Sequence, residues 1–332
     1  MSFFRRAIDL TFQLGTGNFG QSGYTTKTVS GLRVQCHTEI ATGLGMGQAQ
    51  VRVYGMTKSD MLELASIIRL ASGKLVTRWN RILIGAGDLP LSGPRQPLAT
   101  IFQGQITSAT ILLADQPNSI FEVSAHVASF EASQMIDPIS YKVPVAAEQV
   151  MQNLADMASP PYAFENNGCH EMLTNPYFVG SIRDQMVQCM RATSTFEWNA
   201  LDGGVLALWP KGGFRAESTS GTSTLAAPTV SEQPQQIVVT AQIPLISPLT
   251  GMVGYPTTMD LAGILAVTTE FNFDLRVGKR CKIQSELPFA NGIYVMHDIE
   301  HDLESETPDG SWFTTLRAIP WPAAQLSPEP PS

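Results

Sequence analysis

A histidine pair near the C-terminus is the first candidate for chemistry. His297 and His301 stand four residues apart, interleaved and followed by Asp298, Glu300 and Asp302. On a helix, side chains at i and i+4 are neighbours and could share a metal ion. The apolar alternation through this segment instead predicts a strand, where the two histidines lie roughly 13 Å apart at about 3.3 Å per residue. We therefore predict no metal site and interpret both as half-buried strand histidines.

The same strand also predicts an acidic face. Successive strand side chains point to opposite faces, so Asp298, Glu300 and Asp302 share one face with Tyr294 and Met296. By itself, such a row of carboxylates is most often a solvated surface.

A glycine motif near the N-terminus suggests a nucleotide site. Gly15, Gly17 and Gly20 match the pattern G-x-G-x-x-G. Such a loop must open a helix whose N-terminus faces the phosphates, whereas residues 21–29 are rich in Gly and Thr and lead into another strand. The kinase tripeptides H-R-D and D-F-G do not occur in the sequence. We interpret the motif as a flexible β-turn and predict no cofactor.

Cysteine precedes histidine twice, but neither pair predicts a catalytic site. Adjacent strand residues point to opposite sides, so the two side chains cannot act as nucleophile and base. The cysteines form no C-x-x-C pair and are expected to be buried free thiols, at Cys36, Cys169, Cys189 and Cys281. The G-x-S-x-G, H-E-x-x-H and Walker A motifs do not occur. The sequence predicts no catalytic residues and a protein that is not an enzyme.

Composition limits the partners. The chain has 332 residues, of which 43% are hydrophobic and only 15% are charged, against roughly 25% in average globular domains. Much of the surface is therefore expected to be covered by other protein. A net charge of -8 lacks the basic footprint of a phosphate-binding surface, which argues against specific nucleic-acid binding. No apolar run reaches about 18 residues, and the N-terminal residues turn polar too soon for a signal peptide. We expect that the protein is made in a cytoplasm and is not inserted into a membrane.

Strands and turns are predicted to position most of the chain. Period-two alternation predicts strands within residues 6–55 and 81–127. Between them, Ser59 is the expected N-cap of a helix that continues through Leu64, Ile67 and Ile68 to Gly73.

The middle of the chain changes to helical spacing. Residues 145–158 predict one helix, and Ser181 begins a capping box for a second. Two alternating runs around Asp202-Gly203-Gly204 predict a hairpin. Residues 211–236 are rich in Ser, Thr, Gly and Pro and indicate a linker or a long exposed loop.

One order of strands and turns occurs twice, which predicts a degenerate internal duplication. In each copy a strand is followed by an acidic-Leu-Pro tripeptide, a long strand, a polar turn and a further strand. The first set lies at residues 81–84, 88–90, 101–115 and 119–123, and the second at residues 280–283, 286–288, 292–304 and 311–316. Chance similarity between β-hairpins is the alternative.

Three stretches carry a further likeness: residues 103–118, residues 195–210 with the helix before them, and residues 251–256, 271–278, 294–301 and 305–312. Together they resemble the baseplate hub proteins of contractile-tailed bacteriophages, whose architecture is shared by the hub part of type VI secretion spike proteins. The stretches cover most of the chain. Residues 211–236 match no motif of that family, and no lysozyme or amidase module is recognised.

The resemblance implies a mainly β (α+β) fold with two tube-like antiparallel β-barrel domains flanking a small mixed α/β domain. The corresponding boundaries are 1–138 for the first barrel, 139–210 for the small domain and 237–320 for the second barrel. Residues 211–236 are then a linker or long loop, and residues 321–332 a loose Pro-rich tail.

The resemblance also implies a function. Three subunits of such a hub arrange six barrels in a ring that joins the sixfold tail tube to the threefold central spike and encloses the DNA exit channel. Tail tube proteins, a spike protein and wedge or sheath-side baseplate proteins would be its partners, in a virion assembled in the host cytoplasm. Genomic DNA would pass without specific binding, along a lumen lined by Asp298, Glu300 and Asp302. A virion-associated or secreted all-β hydrolase is the alternative.

Overall fold

The computed structural model describes residues 4–19, 24–43, 47–64, 67–69, 75–77, 79–90, 95–112, 119–202, 204–216, 243–259 and 263–322. Predictions for residues 217–242 and 323–332, and for the turn at residues 113–118, lie outside these ranges.

Most of the described chain is β-strand, which confirms the mainly-β class. In chain order the strands are β1 (Phe4–Gln13), β2 (Thr26–Ser30), β3 (Val34–Ala41), β4 (Gln48–Tyr54), β5 (Ile67–Arg69), β6 (Leu75–Thr77), β7 (Arg81–Pro90), β8 (Ala99–Leu112), β9 (Ile120–His126), β10 (Met135–Ser140), β11 (Val145–Ala146), β12 (Ala163–Asn166), β13 (Met172–Leu173), β14 (Tyr177–Ser181), β15 (Phe196–Asp202), β16 (Val205–Pro210), β17 (Leu245–Ile246), β18 (Met252–Thr258), β19 (Leu265–Glu270), β20 (Arg280–Ile283), β21 (Gly292–Ser305) and β22 (Trp312–Pro320). The helices are α1 (Lys58–Glu63), α2 (Ser129–Ser133), α3 (Ala147–Met157) and α4 (Ile182–Ala192).

One large sheet joins the two ends of the chain. Its strands follow the order β18-β19-β22-β21-β3-β4-β9-β8-β7-β1-β2, with β20 on β21 and β17 on β20. All its pairs are antiparallel except β17 with β20. Among the described strands the sheet is an open path, so closure into barrels remains a prediction.

Period-two sequence patterns explain the core. In β3, Val34, Cys36 and Ile40 are buried, while the alternate residues Gln35 and His37 are partly exposed. The same alternation in β1, β4, β7, β9, β19 and β22 places apolar side chains on one face of the sheet. At about 25 cal/mol per Å² of buried apolar area, this face is the main source of stability.

Two three-strand units have the same arrangement, as an internal duplication requires. β8 pairs with β7 and β9, just as β21 pairs with β20 and β22. Both central strands contain 14 residues. Each shifts register against its third strand, between Ile106 and Ser108 in β8 and between Met296 and Asp298 in β21. Because β-bulges are specific features, their coincidence supports a common origin of the two units.

Two further strands in each unit extend the correspondence. In the first unit β4 pairs with β9, and β3 pairs with β4. In the second unit β19 pairs with β22, and β18 pairs with β19. The path β7-β8-β9-β4-β3 therefore corresponds to β20-β21-β22-β19-β18. We call these the first and second repeats.

The middle of the chain forms its own small sheets. β15 and β16 pair as the predicted hairpin and β12 joins them, while β10 pairs with β14 and β11 with β13. Helix α4 begins at the predicted cap. The Ser181 hydroxyl accepts a hydrogen bond from the backbone N–H of Asp184, and the Asp184 carboxylate accepts one from the backbone N–H of Ser181. Separate pairing of this segment agrees with the predicted small domain, although the boundaries at residues 138, 210 and 236 remain predictions.

The helix predicted from Ser59 to Gly73 is shorter than expected. Thr57 rather than Ser59 is the N-cap, and α1 ends at Glu63. Ile67 and Ile68 belong to β5, which pairs with β6. Their β-branched side chains favour a strand, and their apolar spacing is compatible with either structure. Across the described ranges, no helix is long and apolar enough to cross a membrane.

Candidate functional site: a shared polar sheet face

The two repeats meet where β3 pairs with β21. Eight residues of each strand are in register, from Ala41 opposite Asp298 to Val34 opposite Ser305. The pairing makes one continuous sheet from two repeats that are distant in sequence. Since the core lies on one side of this sheet, the other side is a polar face that crosses the junction.

The predicted acidic residues lie on this polar face, and each has a basic partner within the chain. Arg317 bridges two of them, with Nη1 3.3 Å from Asp298 Oδ2 and Nη2 3.4 Å from Glu300 Oε1. His37 Nδ1 lies 2.7 Å from Asp302 Oδ1. The carboxylate side chains of Asp298, Glu300 and Asp302 are 15%, 26% and 54% exposed. The structure therefore brings the three carboxylates together but partly neutralises them.

The expected companions of these carboxylates lie on the other face. Tyr294 and Met296 are buried in the core, together with Ile299 and His301. The physical reason is the bulge next to His297, which adds one residue to β21 and reverses its alternation. Period-two reasoning along the sequence cannot detect such an extra residue.

Neighbouring strands extend the polar face. Gln35 Nε2 donates to Glu304 Oε1 at 3.1 Å, and Arg52 Nε donates to Glu122 Oε1 at 3.0 Å. Together with Gln50 and Asp302, these side chains line a shallow depression of about 530 Å³. Its described lining carries more carboxylates than guanidinium groups, so the depression is electronegative.

Arg317 and His37, which contact the three predicted carboxylates, were not predicted from the sequence. The alternation in β22 places Arg317 on the same face as Thr315, opposite to the buried Leu316. The carboxylates that Arg317 contacts, however, are set by the register between β22 and β21. The partner of His37 is Asp302, which lies 265 residues away in the sequence.

The two histidines of β21 do not share one environment, and Cys36 and His37 lie on opposite faces of β3. His301 is buried and its Nδ1 lies 2.9 Å from Thr314 Oγ1, whereas His297 is partly exposed beside Asp298. Cys36 is buried on the core side, opposite to His37. Burial, reinforced by the charge of Asp302, raises the pKa of Cys36 to about 12. Cys36 is therefore a protonated thiol at neutral pH.

The remaining cysteines are also buried and free. Burial raises the pKa of Cys169, Cys189 and Cys281 to about 12. His170 is exposed, and its Nδ1 lies 2.9 Å from Glu148 Oε1. In the described part of the chain, no group of three or more His, Cys, Asp or Glu residues is arranged to hold a metal ion.

The glycine motif follows a strand and precedes a strand. Gly15 follows β1, its N–H donates to Asn80 Oδ1 at 3.1 Å, and Gly17 has a φ of +84° in the turn. The Phe19 N–H donates to the Tyr24 carbonyl, which leads the chain back towards β2. The predicted turn is confirmed up to residue 19; Gly20 lies outside the described residues.

A pH dependence of stability is expected from His297. The carboxylate of Asp298, whose Oδ2 lies 4.0 Å from His297 Nδ1, raises the pKa of His297, with help from Glu197, while burial and Arg317 oppose the shift. A raised folded-state pKa means that the stabilisation is complete below about pH 6.5 and is lost as the pH rises through the folded-state value. The effect is small because His297 is partly exposed.

Urea unfolding of the protein and of His297→Gln at about pH 5.5 and about pH 8 measures this effect. The stability difference between the two proteins is expected to be larger at the lower pH. His126→Gln serves as the control, because His126 contacts the neutral hydroxyl of Thr107 rather than a carboxylate. A difference that is equal at both pH values contradicts the assignment.

Comparisons with known proteins give a consistent fold. No family model matches the sequence, and no curated protein matches it. Among solved structures, the fold is similar to that of the Escherichia coli c3393 protein, described as a component of the type VI secretion system with structural similarity to the T4 bacteriophage tail proteins gp27 and gp5. That comparison has a TM-score of 0.53 at 11% identity and covers 93% of this chain and 76% of the other.

Two tail proteins give similar results. A tail protein from Neisseria meningitidis has a TM-score of 0.52 at 10% identity, covering 95% of this chain and 96% of the other. A tail protein of prophage MuSo2 from Shewanella oneidensis has a TM-score of 0.52 at 8% identity, covering 94% and 96%. The hub-like fold predicted from the sequence is confirmed. At these identities the likeness establishes the fold alone.

Proposed function

We propose that this chain, which has the fold of phage tail and type VI secretion proteins, is a non-catalytic structural hub of a contractile tail. In this proposal residues 1–138 and 237–320 are tube-like domains, residues 139–210 are a small domain outside the ring, and residues 211–236 and 321–332 are a linker and a tail. The observation that carries the proposal is the β3–β21 pairing. It joins two repeats of one kind edge to edge, as adjacent units of a tube would be joined.

The proposed assembly is a homotrimer. Three copies of a two-repeat chain contain six repeats, and threefold symmetry then approximates sixfold symmetry. Such a ring can stack on a sixfold tail tube on one side and on a threefold spike on the other. The low charge content of the chain agrees with large protein-covered surfaces, because interface cores are depleted of charged residues.

The proposed partners follow from that position. Tail tube proteins lie above the hub, a central spike protein lies below, and wedge or sheath-side baseplate proteins surround it. The hub resides in the virion tail after assembly in the host cytoplasm and needs no cofactor. Its small domain supplies exposed apolar side chains, among them Met172 and Tyr177, for contacts with neighbouring proteins.

The polar face is proposed to line the DNA channel. Asp298, Glu300, Asp302 and Glu304 lie on the side of the sheet opposite the core. A net negative wall repels phosphates, so DNA would slide without being retained. Their pairing with Arg317 and His37 within the chain keeps the wall acidic overall while limiting repulsion between the carboxylates.

For the alternative of an all-β hydrolase, the His37–Asp302 pair is one candidate, because it resembles the orienting half of a triad. The adjacent thiol, Cys36, lies on the opposite face and is protonated at neutral pH. The pair is therefore better explained as a hydrogen bond across the junction between repeats. The hub remains the favoured function.

Native mass and particle shape test this proposal. Light scattering of the purified protein, alone and with a cognate tube or spike protein, is expected to give about three times 36.0 kDa for the hub component. Electron microscopy is expected to show a ring with six similar lobes. A ring with one or six copies of the chain, or a monomer under every condition, contradicts the hub.

A further inference from the structure

The internal junction, where β3 pairs with β21, shows which kind of strand the edge of a repeat can bind. Strand β21 uses one edge for two partners in succession: β20 pairs with Gly292–Val295, and β3 pairs with Asp298–Ser305. The bulge next to His297 separates the two segments. The second segment of β21 is therefore a docking edge for a β3-type strand.

The equivalent edge segment of β8, which follows its bulge, has no partner strand among the described residues. β7 pairs with residues 99–105, and the bulge follows between Ile106 and Ser108. In the described part of the sheet, no strand pairs with that edge over residues 107–112. Ile111, which packs against the core, is only partly buried, whereas His301 at the equivalent place of β21 is 4% exposed. The missing strand accounts for the difference.

Strand β18 is the complementary edge. It corresponds to β3 in the second repeat, and it ends the path of the described sheet. Thr257 and Thr258 are exposed, and the Met259 N–H donates to Ile264 at 2.9 Å on the β19 side. Alternation then directs the backbone N–H and C=O of Thr258 outwards. The bulge and Pro256 shorten the edge, a feature that limits indiscriminate strand addition.

Superposing the repeats on their bulges fixes a register. Ala125 of β9 corresponds to Ala318 of β22, since they pair with Ile106 and Met296 just before the two bulges. By the same correspondence Leu112 matches Asp302 and Thr257 matches His37, the two residues in contact at the internal junction.

We propose that β18 of one copy pairs antiparallel with residues 107–112 of β8 in the next copy, with Leu112 opposite Thr257 and Thr110 opposite Met259. The interface repeats the β3–β21 junction between chains. It is heterologous, so every copy presents one β18 edge and one β8 edge, and a ring closes when the rotation permits. The occupant of both edges is a second copy of this chain. Closure at three copies rests on the proposed function.

Register-specific disulfide formation tests the pairing. Leu112→Cys combined with Thr257→Cys places two thiols opposite each other on the polar face. Mild oxidation is expected to produce cross-linked dimers and trimers on non-reducing gels. Ile111→Cys combined with Thr257→Cys is the matched control, because a shift of one residue turns the two side chains to opposite faces. The matched pair is expected to cross-link at least about tenfold faster than the control.

Native thiols do not compete in this assay, because all four cysteines are buried. Thr110→Cys combined with Met259→Cys is a second matched pair if the first variant folds poorly. Light scattering of each variant under reducing conditions reports assembly independently of the cross-link.

The outcomes separate the pairing from the hub proposal. A trimer whose matched pairs do not cross-link overturns the β18–β8 pairing and leaves the hub intact. A chain that stays monomeric overturns both. Equal cross-linking of the matched and shifted pairs reports random collision and also overturns the register.

Discussion

Reversing the charge of three carboxylates on β21 is expected to turn the proposed channel wall, which would repel DNA, into a surface that retains DNA. The variant Asp298→Lys/Glu300→Lys/Asp302→Lys changes the net charge from -8 to -2, since each substitution adds two units. In the proposed trimer nine lysines would then face the channel. Binding through six to ten phosphate contacts loses about 10³ to 10⁵ in affinity between 50 and 200 mM salt. The unmodified protein is expected to retain no DNA under either condition.

A DNA-binding titration at low and higher salt measures the effect, with short duplex DNA as the probe. A second triple variant, Asp156→Lys/Asp274→Lys/Glu286→Lys, changes the same charge at exposed positions outside the polar face. It is expected to bind more weakly and with a shallower salt dependence. Equal binding by the two triple variants would show that net charge rather than position determines DNA retention, and the channel assignment would fail.

Truncation of Trp209 is expected to cause the largest loss of stability from one substitution. Trp209 is fully buried in β16, and its Nε1 donates to Glu197 Oε2 at 3.3 Å. Its ring packs on Gly278, where an added Cβ would lie 2.8 Å from the ring and where φ is +82°. The Gly278 N–H in turn donates to Met296 in β21, and its carbonyl accepts from the Arg215 N–H. Trp209 therefore joins the small middle sheets to the second repeat.

We expect Trp209→Ala to lower the free energy of unfolding by about 3 to 5 kcal/mol, as for other buried aromatic residues. Urea denaturation measures the change. Phe289→Ala provides a control, since that side chain is 59% exposed and its loss is expected to change stability by about 0.5 kcal/mol or less. A loss below about 1 kcal/mol for Trp209→Ala would mean that the contact with Gly278 is dispensable.

Local patterns predicted the elements that are stabilised locally. Alternation in β3, β4 and β9 identified their buried faces, and the Ser181 capping box predicted the start of α4. The repeated order of strands was visible because each unit consists of neighbouring hairpins whose pairing is local in sequence. Apolar spacing failed beyond α1 because residues 67 and 68 satisfy a strand as well as a helix.

The sequence alone determined that this protein is mainly β, lacks the recognised catalytic motifs and repeats one arrangement of strands, because alternation, turns and motifs are properties of contiguous residues. Tertiary structure alone decided how the repeats meet. His37 contacts Asp302 across 265 residues of chain, and the bulge next to His297 moves Tyr294 and Met296 from the acidic face into the core. Both effects depend on backbone pairing between distant strands. The backbone hydrogen-bonding groups are the same for every residue except proline, so this pairing leaves little signature in the side-chain sequence.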